Sequence, residues 1–154
     1  MSIKNPLKIL CVIQRFSPAI GGSEQLAEKH LDFLSKNHKV TVITTDAIEL
    51  DSFWNESKKK DIVYPSKPYD VKRFPILTPD KIPQNSFQLQ LPISQPGPYS
   101  PNLWQYFENL QEQYDLIIGT SFPYDHLIPT ISYAKRNKIP FVLIPHLHLE
   151  FPFL

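Results

Sequence analysis

The stretch from Leu7 to Thr45 constrains this chain more than any other, because it joins a short apolar run, a glycine pair, a helical pattern and a β-branched run without interruption. Ile9 to Ile13 is too brief for a buried helix and is bounded by breakers, so it reads as a strand covered on both faces. Phe16 to Ile20 leaves the sheet, and Pro18 forbids helix there. Gly21 and Gly22, two of the four glycines in the chain, stand just before Ser23, Glu24 and Gln25, where a helix starts. Ser23 reads as its N-cap, with Glu24 complementing the first turn. Leu26, Ala27, Leu31 and Leu34 form one face, and Lys36, Asn37 and His38 close the helix. Val40 to Thr45 is a β-branched run that suits only a strand. Strand, crossover helix and strand of this length make the βαβ unit of a parallel sheet. The expected fold class is therefore α/β, a Rossmann-like parallel sheet with helices on both faces, in a single domain.

In such sheets ligands sit beyond the carboxyl ends of the strands, and the first βα turn is the usual phosphate contact. Gly21 and Gly22 would let a ligand approach the backbone, and the free N–H groups of the helix start would suit an anion. A tight turn with no ligand role explains the glycine pair equally well. Neither GxGxxG nor GxxxxGK[ST] is present, so dinucleotide and P-loop binding are unsupported.

With 154 residues, 42% of them hydrophobic, the chain suffices for one core. Lys+Arg 16 against Asp+Glu 15 leaves no basic excess, which speaks against a nucleic-acid partner. The lone cysteine, Cys11, lies inside the first strand and reads as a small buried hydrophobe. The apolar run after Lys4 and Lys8 is too short for a signal peptide or a membrane span, so the expected location is cytoplasmic.

Further along, a short helix is expected around Asp51 to Ser57. Phe53 and Trp54 beside Lys58, Lys59 and Lys60 would make weak contact with an anionic membrane surface, peripheral to it, or else form a solvated face. Asp70 to Ile76 is a third strand. Nine of the 16 prolines fall between Pro65 and Pro101, which forbids regular helix or central strand there. Phe87, Leu89, Leu91, Ile93 and Tyr99 nonetheless carry too much apolar surface for a free linker, so an ordered loop is expected over about 65–101. Ser100 as N-cap and Pro101 at the first helical position open a helix striped with Leu103, Trp104, Phe107 and Leu110. Asp115 to Gly119 is the fourth strand, followed by the loop Thr120 to His126 and a helix over Leu127 to Lys135 that tolerates Pro129 only in its first turn. Phe141 to Ile144 is the fifth strand. His146 and His148, one residue apart, lack a third ligand unless Glu150 or Asp125 completes the set, so no metal is expected.

Three stretches resemble one family. A strand ending in aromatic-x-Pro before GGSE, the GPYSP element before a helix, and PFVLIPHLH are similar to the N-terminal domain of family-4 glycosyltransferases of the GT-B fold. The resemblance covers nearly all of residues 1–154 but only about the first half of such an enzyme. It implies the acceptor side of a retaining, hexosyl-type transfer from a nucleotide sugar, which is a co-substrate, with no cofactor. It places phosphate and donor contacts at Gly21 and Gly22. Acceptor contacts would fall at Arg15, Ser23, Arg73, Tyr99, Thr120, Ser121 and His148, and catalytic contributions at His126 and His146. Many relatives carry a histidine near Thr120 or Ser121; a hydroxyl there cannot titrate near neutral pH, and His126 would have to stand in or else face the core. The family's paired glutamates of the donor-binding domain are absent, so the chain alone is expected to be inactive. Its expected partners are a C-terminal domain or partner subunit and a sugar, glycan or lipid-linked acceptor, with self-association through the exposed docking face. A non-catalytic module of the same fold, binding a glycan or phosphorylated metabolite, is the alternative.

Overall fold

A computed structural model of the protein describes residues 5–49, 52, 62–77 and 97–146. Five strands, β1 (Lys8–Val12), β2 (Lys39–Thr45), β3 (Asp70–Phe74), β4 (Leu116–Thr120) and β5 (Phe141–Ile144), form one sheet in the order β3-β2-β1-β4-β5. Every neighbouring pair is parallel, with Cys11 level with Val42 on one side and with Ile118 on the other. The architecture is α/β and Rossmann-like.

Among the described residues three helices cover the two faces: α1 (Gly22–Leu34), α2 (Pro101–Asn109) and α3 (Leu127–Asn137). Alternation along each strand decides which residue meets which helix. Cys11, Ile13, Val40 and Val42 pack with Ala27 and Leu31 of α1. Leu10, Val12, Ile43 and Ile117 pack on the opposite face with Leu103 and Phe107 of α2 and Tyr133 and Ala134 of α3. Because β1 is buried on both faces beyond Lys8, its run from Ile9 to Val12 has no polar residue to mark an alternation, which is why it reads as continuous.

The helix boundaries follow local chemistry. Ser100 caps α2, its side chain accepting from the Leu103 N–H, with Pro101 in the first turn as expected. In α3, Pro129 lies buried in the first turn, and Lys138 ends the helix in the left-handed region at φ +56. Two expectations about α1 need correction. Its N-cap is Gly21, so Ser23 sits inside the first turn and its hydroxyl donates to Glu24 Oε2 at 3.0 Å. Leu26 faces solvent, and the buried face consists of Glu24, Ala27 and Leu31 instead. The helix expected around Asp51 to Ser57, the membrane-contact residues Phe53 and Trp54, and most of the proline-rich loop lie outside the described residues.

Gly119 lets β4 and β5 close on α3. A Cβ there would stand 2.6 Å from Phe141 Cζ and 2.8 Å from Leu127 Cδ2. Gly119→Ala should therefore cost about 1–3 kcal/mol of stability by overpacking. Chemical denaturation measures this, and an unchanged midpoint would show that Phe141 yields freely.

Candidate functional site

The strand order sets the position of a ligand crevice before any side chain is considered. From β1 the chain passes through α1 to β2 on one side, and from β4 through α3 to β5 on the other, on opposite faces. The two connections diverge, and in open α/β sheets such a divergence puts the ligand crevice outside the carboxyl ends of the strands, here β1 and β4. Residues from the β1 turn (Ile13–Gly21), the β4 turn (Ser121–His126) and the end of β5 meet at this rim.

The β1 turn is held by buried charge. Arg15 Nε donates to Glu24 Oε1 at 2.8 Å and its Nη1 donates to the Ile48 carbonyl at 3.0 Å, with side chains only 8% and 2% exposed for the pair. From the neighbouring strand, Arg73 donates to the carbonyls of Phe16 and Ser17. The Gly21 backbone is extended, at φ −179, so the glycine is not needed for its conformation. It is needed for space, since a Cβ would lie 2.1 Å from Glu24 Oε2 and 2.9 Å from Arg15 Nη2. Gly22 is the opposite case: its added Cβ would meet nothing within 4 Å. The first turn of α1 has no side-chain cap and opens to solvent at Gly22.

The β4 turn is tightly built and polar inside. Ser121 adopts φ +65 and its N–H donates to the Ile144 carbonyl at 2.9 Å, while the Phe122 N–H donates to the Pro145 carbonyl at 3.0 Å. These bonds tie the end of β4 to the end of β5, where His146 also adopts positive φ, +47. Non-glycine residues in this region cost energy and concentrate where function demands the geometry. His126 is 1% exposed, with Nε2 2.8 Å from the Thr120 carbonyl. Nε2 must therefore carry the hydrogen, which leaves Nδ1 a bare acceptor without a partner. Burial drives its pKa down to about 4, so the ring is neutral near pH 7. Burial pushes the Tyr124 hydroxyl of the same turn up, with the charges of Arg15 and Glu24 acting on it in opposite directions.

The rim also carries unsatisfied polar chemistry. Among the described residues, Gln14 Oε1, Thr44 Oγ1, Tyr99 Oη, Thr120 Oγ1, Ser121 Oγ and His126 Nδ1 are buried and find no hydrogen-bond partner. Each such group costs about 1–3 kcal/mol, and native interiors hold few of them. Among the described residues none of these atoms lies at the amino ends of the strands. An apolar cavity of about 220 Å³ between α1 and β4 and β5 has Thr120 at its edge but otherwise little polar chemistry.

The sheet thus gathers Gly21, Gly22, Thr120, Ser121, His126 and His146 at one rim. Arg15, Ser23 and Arg73 are close by but are spent on Glu24 and on backbone carbonyls. Tyr99 stands where the chain enters α2, and His148 lies outside the described residues. Gln14 and Thr44 were not singled out from the sequence, and Asp125 only as a conceivable metal ligand. The available signal was position, since a polar residue at the end of an apolar strand points past the sheet edge. Compared with protein-family models, curated proteins and solved structures, the chain matches none. Among the described residues no group of three or more His, Cys, Asp or Glu side chains converges to hold a metal, and no helix is long and apolar enough to cross a membrane.

Proposed function

We propose that the chain is the acceptor-side domain of a retaining glycosyltransferase that draws its sugar from a nucleotide-sugar donor. The observation that carries this reading is the set of unpartnered buried polar side chains at the β1 and β4 turns, next to an uncapped α1 start open at Gly22. The GGSE, GPYSP and PFVLIPH stretches behind the family resemblance lie at or near the same rim. In this reading the α1 N–H groups and helix dipole meet the charge that develops on the leaving diphosphate. The Arg15–Glu24 pair is neutral as a unit, so it orients the turn without cancelling that field. Thr120 and Ser121 offer hydroxyls to the reacting sugars. His126, neutral at working pH, offers a lone pair at Nδ1 as an acceptor.

Gly22→Ala separates this role from a structural one. Gly22 lies in the first turn of the helix with free space around its Cα, so alanine should leave stability unchanged or raise it by up to roughly 1 kcal/mol. In the two-domain arrangement implied by the resemblance, pyrophosphate or nucleoside diphosphate should bind the variant at least tenfold more weakly, because the methyl group stands where the anion approaches. The isolated chain should bind either only weakly. Calorimetric titration decides the matter: equal affinities for wild type and Gly22→Ala in the two-domain protein would remove the phosphate role. The burial of His126 favours one second reading, a binding module of the same fold without transfer. Sugar transfer on adding a donor-binding domain distinguishes the two.

A further inference from the structure

We propose that the outer edge of β5 pairs with the same edge of a second copy of this chain, antiparallel and about a two-fold axis at Val142. β5 ends the sheet, and among the described residues no strand lies beyond it. The Pro140 and Ile144 carbonyls at its two ends accept from the Ile117 and Ser121 N–H groups, each at 2.9 Å, so these residues face β4. Strand geometry alternates, so the N–H and carbonyl groups of Phe141 and Leu143 point away from the sheet, a row of ladder groups with no strand to meet. Side chains on both faces of this edge are open as well: Val142 is 48% exposed and Leu143 39%. The strand, FVLI, holds no charge and no proline. The other edge is built differently. β3 carries Asp70, Lys72 and Arg73 within five residues, and charge is what protects an edge from pairing.

The unprotected edge is complementary to itself. A closed dimer needs a surface that matches its own copy, and β5 against β5 sets apolar residues on apolar residues with no like charges opposed. β3 against β3 would gather Lys72 and Arg73 of both copies, and β5 against β3 would repeat without closing. Backbone groups select one register. Centred on Val142, the pairing twice sets Phe141 opposite Leu143 of the second copy, and each such pair exchanges two N–H···O bonds. Centring on Leu143 would set Phe141 opposite Pro145, which has no N–H to give. Centring on Phe141 would set Leu143 opposite Ile139, whose N–H already donates to the Ala134 carbonyl at 2.9 Å. In the Val142 register the two valines form a non-hydrogen-bonded pair, with Cα atoms about 4.5 Å apart. The sheet then runs through both copies, and because the strands are antiparallel the two rims point in opposite directions. With one short strand a side, the interface belongs to the weak, transient class.

The pairing is independent of the proposed transfer, and failure of anion binding leaves it intact. Light scattering at rising concentration should show the chain passing from one copy to two. Val142→Lys places two ammonium groups opposite each other at the axis, so it should weaken the association at least tenfold. Its unfolding midpoint should stay unchanged, because the side chain is half exposed. Val142→Cys tests the register. In the presence of oxidised glutathione, whose disulfide is reduced as the new one forms, two thiols on Cα atoms about 4.5 Å apart should join between copies. Leu143→Cys is the control: in this register the same residue of the second copy lies about 8 Å away, beyond the span of a disulfide. Cys11 is 1% exposed inside β1 and does not compete. A chain that remains a single copy at every concentration would overturn the proposal. So would a dimer that Val142→Lys leaves intact, or equal crosslinking of Val142→Cys and Leu143→Cys.

Discussion

Replacing Arg15 with alanine should destabilise the protein by about 3–5 kcal/mol, the range expected when one member of a buried ion pair is removed. The reason is less the lost attraction than the stranded partner. Glu24 is 2% exposed on the inner face of α1, and without the guanidinium its carboxylate keeps only the Ser23 hydroxyl and the helix N-terminus nearby. The Ile48 carbonyl loses a donor as well. Glu24→Gln alone should be milder, because the amide fills the same space and leaves Arg15 its carbonyl partner. Arg15→Met combined with Glu24→Met should recover much of the loss, since apolar residues of similar volume often replace buried pairs without penalty. Urea unfolding of the single and double variants gives the coupling directly. A loss below about 1 kcal/mol for Arg15→Ala would mean that water reaches Glu24 and the pair does not organise the turn.

The second large effect is on acid stability. His126 has a folded pKa of about 4 against an ordinary 6.5, because burial disfavours the imidazolium. A group whose folded pKa is depressed contributes stability that is fully present above the unfolded value and lost as pH falls through the folded one. The window is therefore pH 6.5 down to 4, and the full shift corresponds to about 3 kcal/mol. Asp125 acts in the opposite direction: burial raises its carboxyl pKa, so it adds stability as pH falls. The wild-type curve mixes the two. His126→Gln isolates the histidine, because a glutamine amide can still donate to the Thr120 carbonyl but does not titrate. Unfolding midpoints at several pH values between 7 and 4 should decline more steeply in wild type than in the variant. Parallel curves would place the imidazole in contact with water.

Much of the architecture was legible in the residues because its causes are local. A five-residue apolar run, a helical pattern and a β-branched run name a βαβ unit before any contact is known, and the Ser100-Pro101 pair places the start of α2 because capping needs only neighbours in sequence. Where the reading slipped, something distant had intervened. Ser23 is a good cap by type, yet Glu24 is held inward by Arg15, nine residues earlier, and the helix begins at Gly22 with Gly21 as its N-cap. The glycine pair looked like one feature, and the fold divides it: Gly21 makes room for an ion pair and Gly22 opens on solvent.

By itself, then, the sequence determined the order of the described elements and their parallel pairing, since periodicity and handedness need no long-range information. Tertiary structure alone decided which polar atoms go unsatisfied. Whether Thr120, Ser121 and His126 find partners depends on how β1, β4 and β5 and their turns stack, and no spacing along the chain encodes that. The same holds for Asp125, whose carboxylate is met by the Trp104 indole of α2. Burial, too, is a property of the assembled fold, and it turns an ordinary histidine into one that stays neutral until about pH 4.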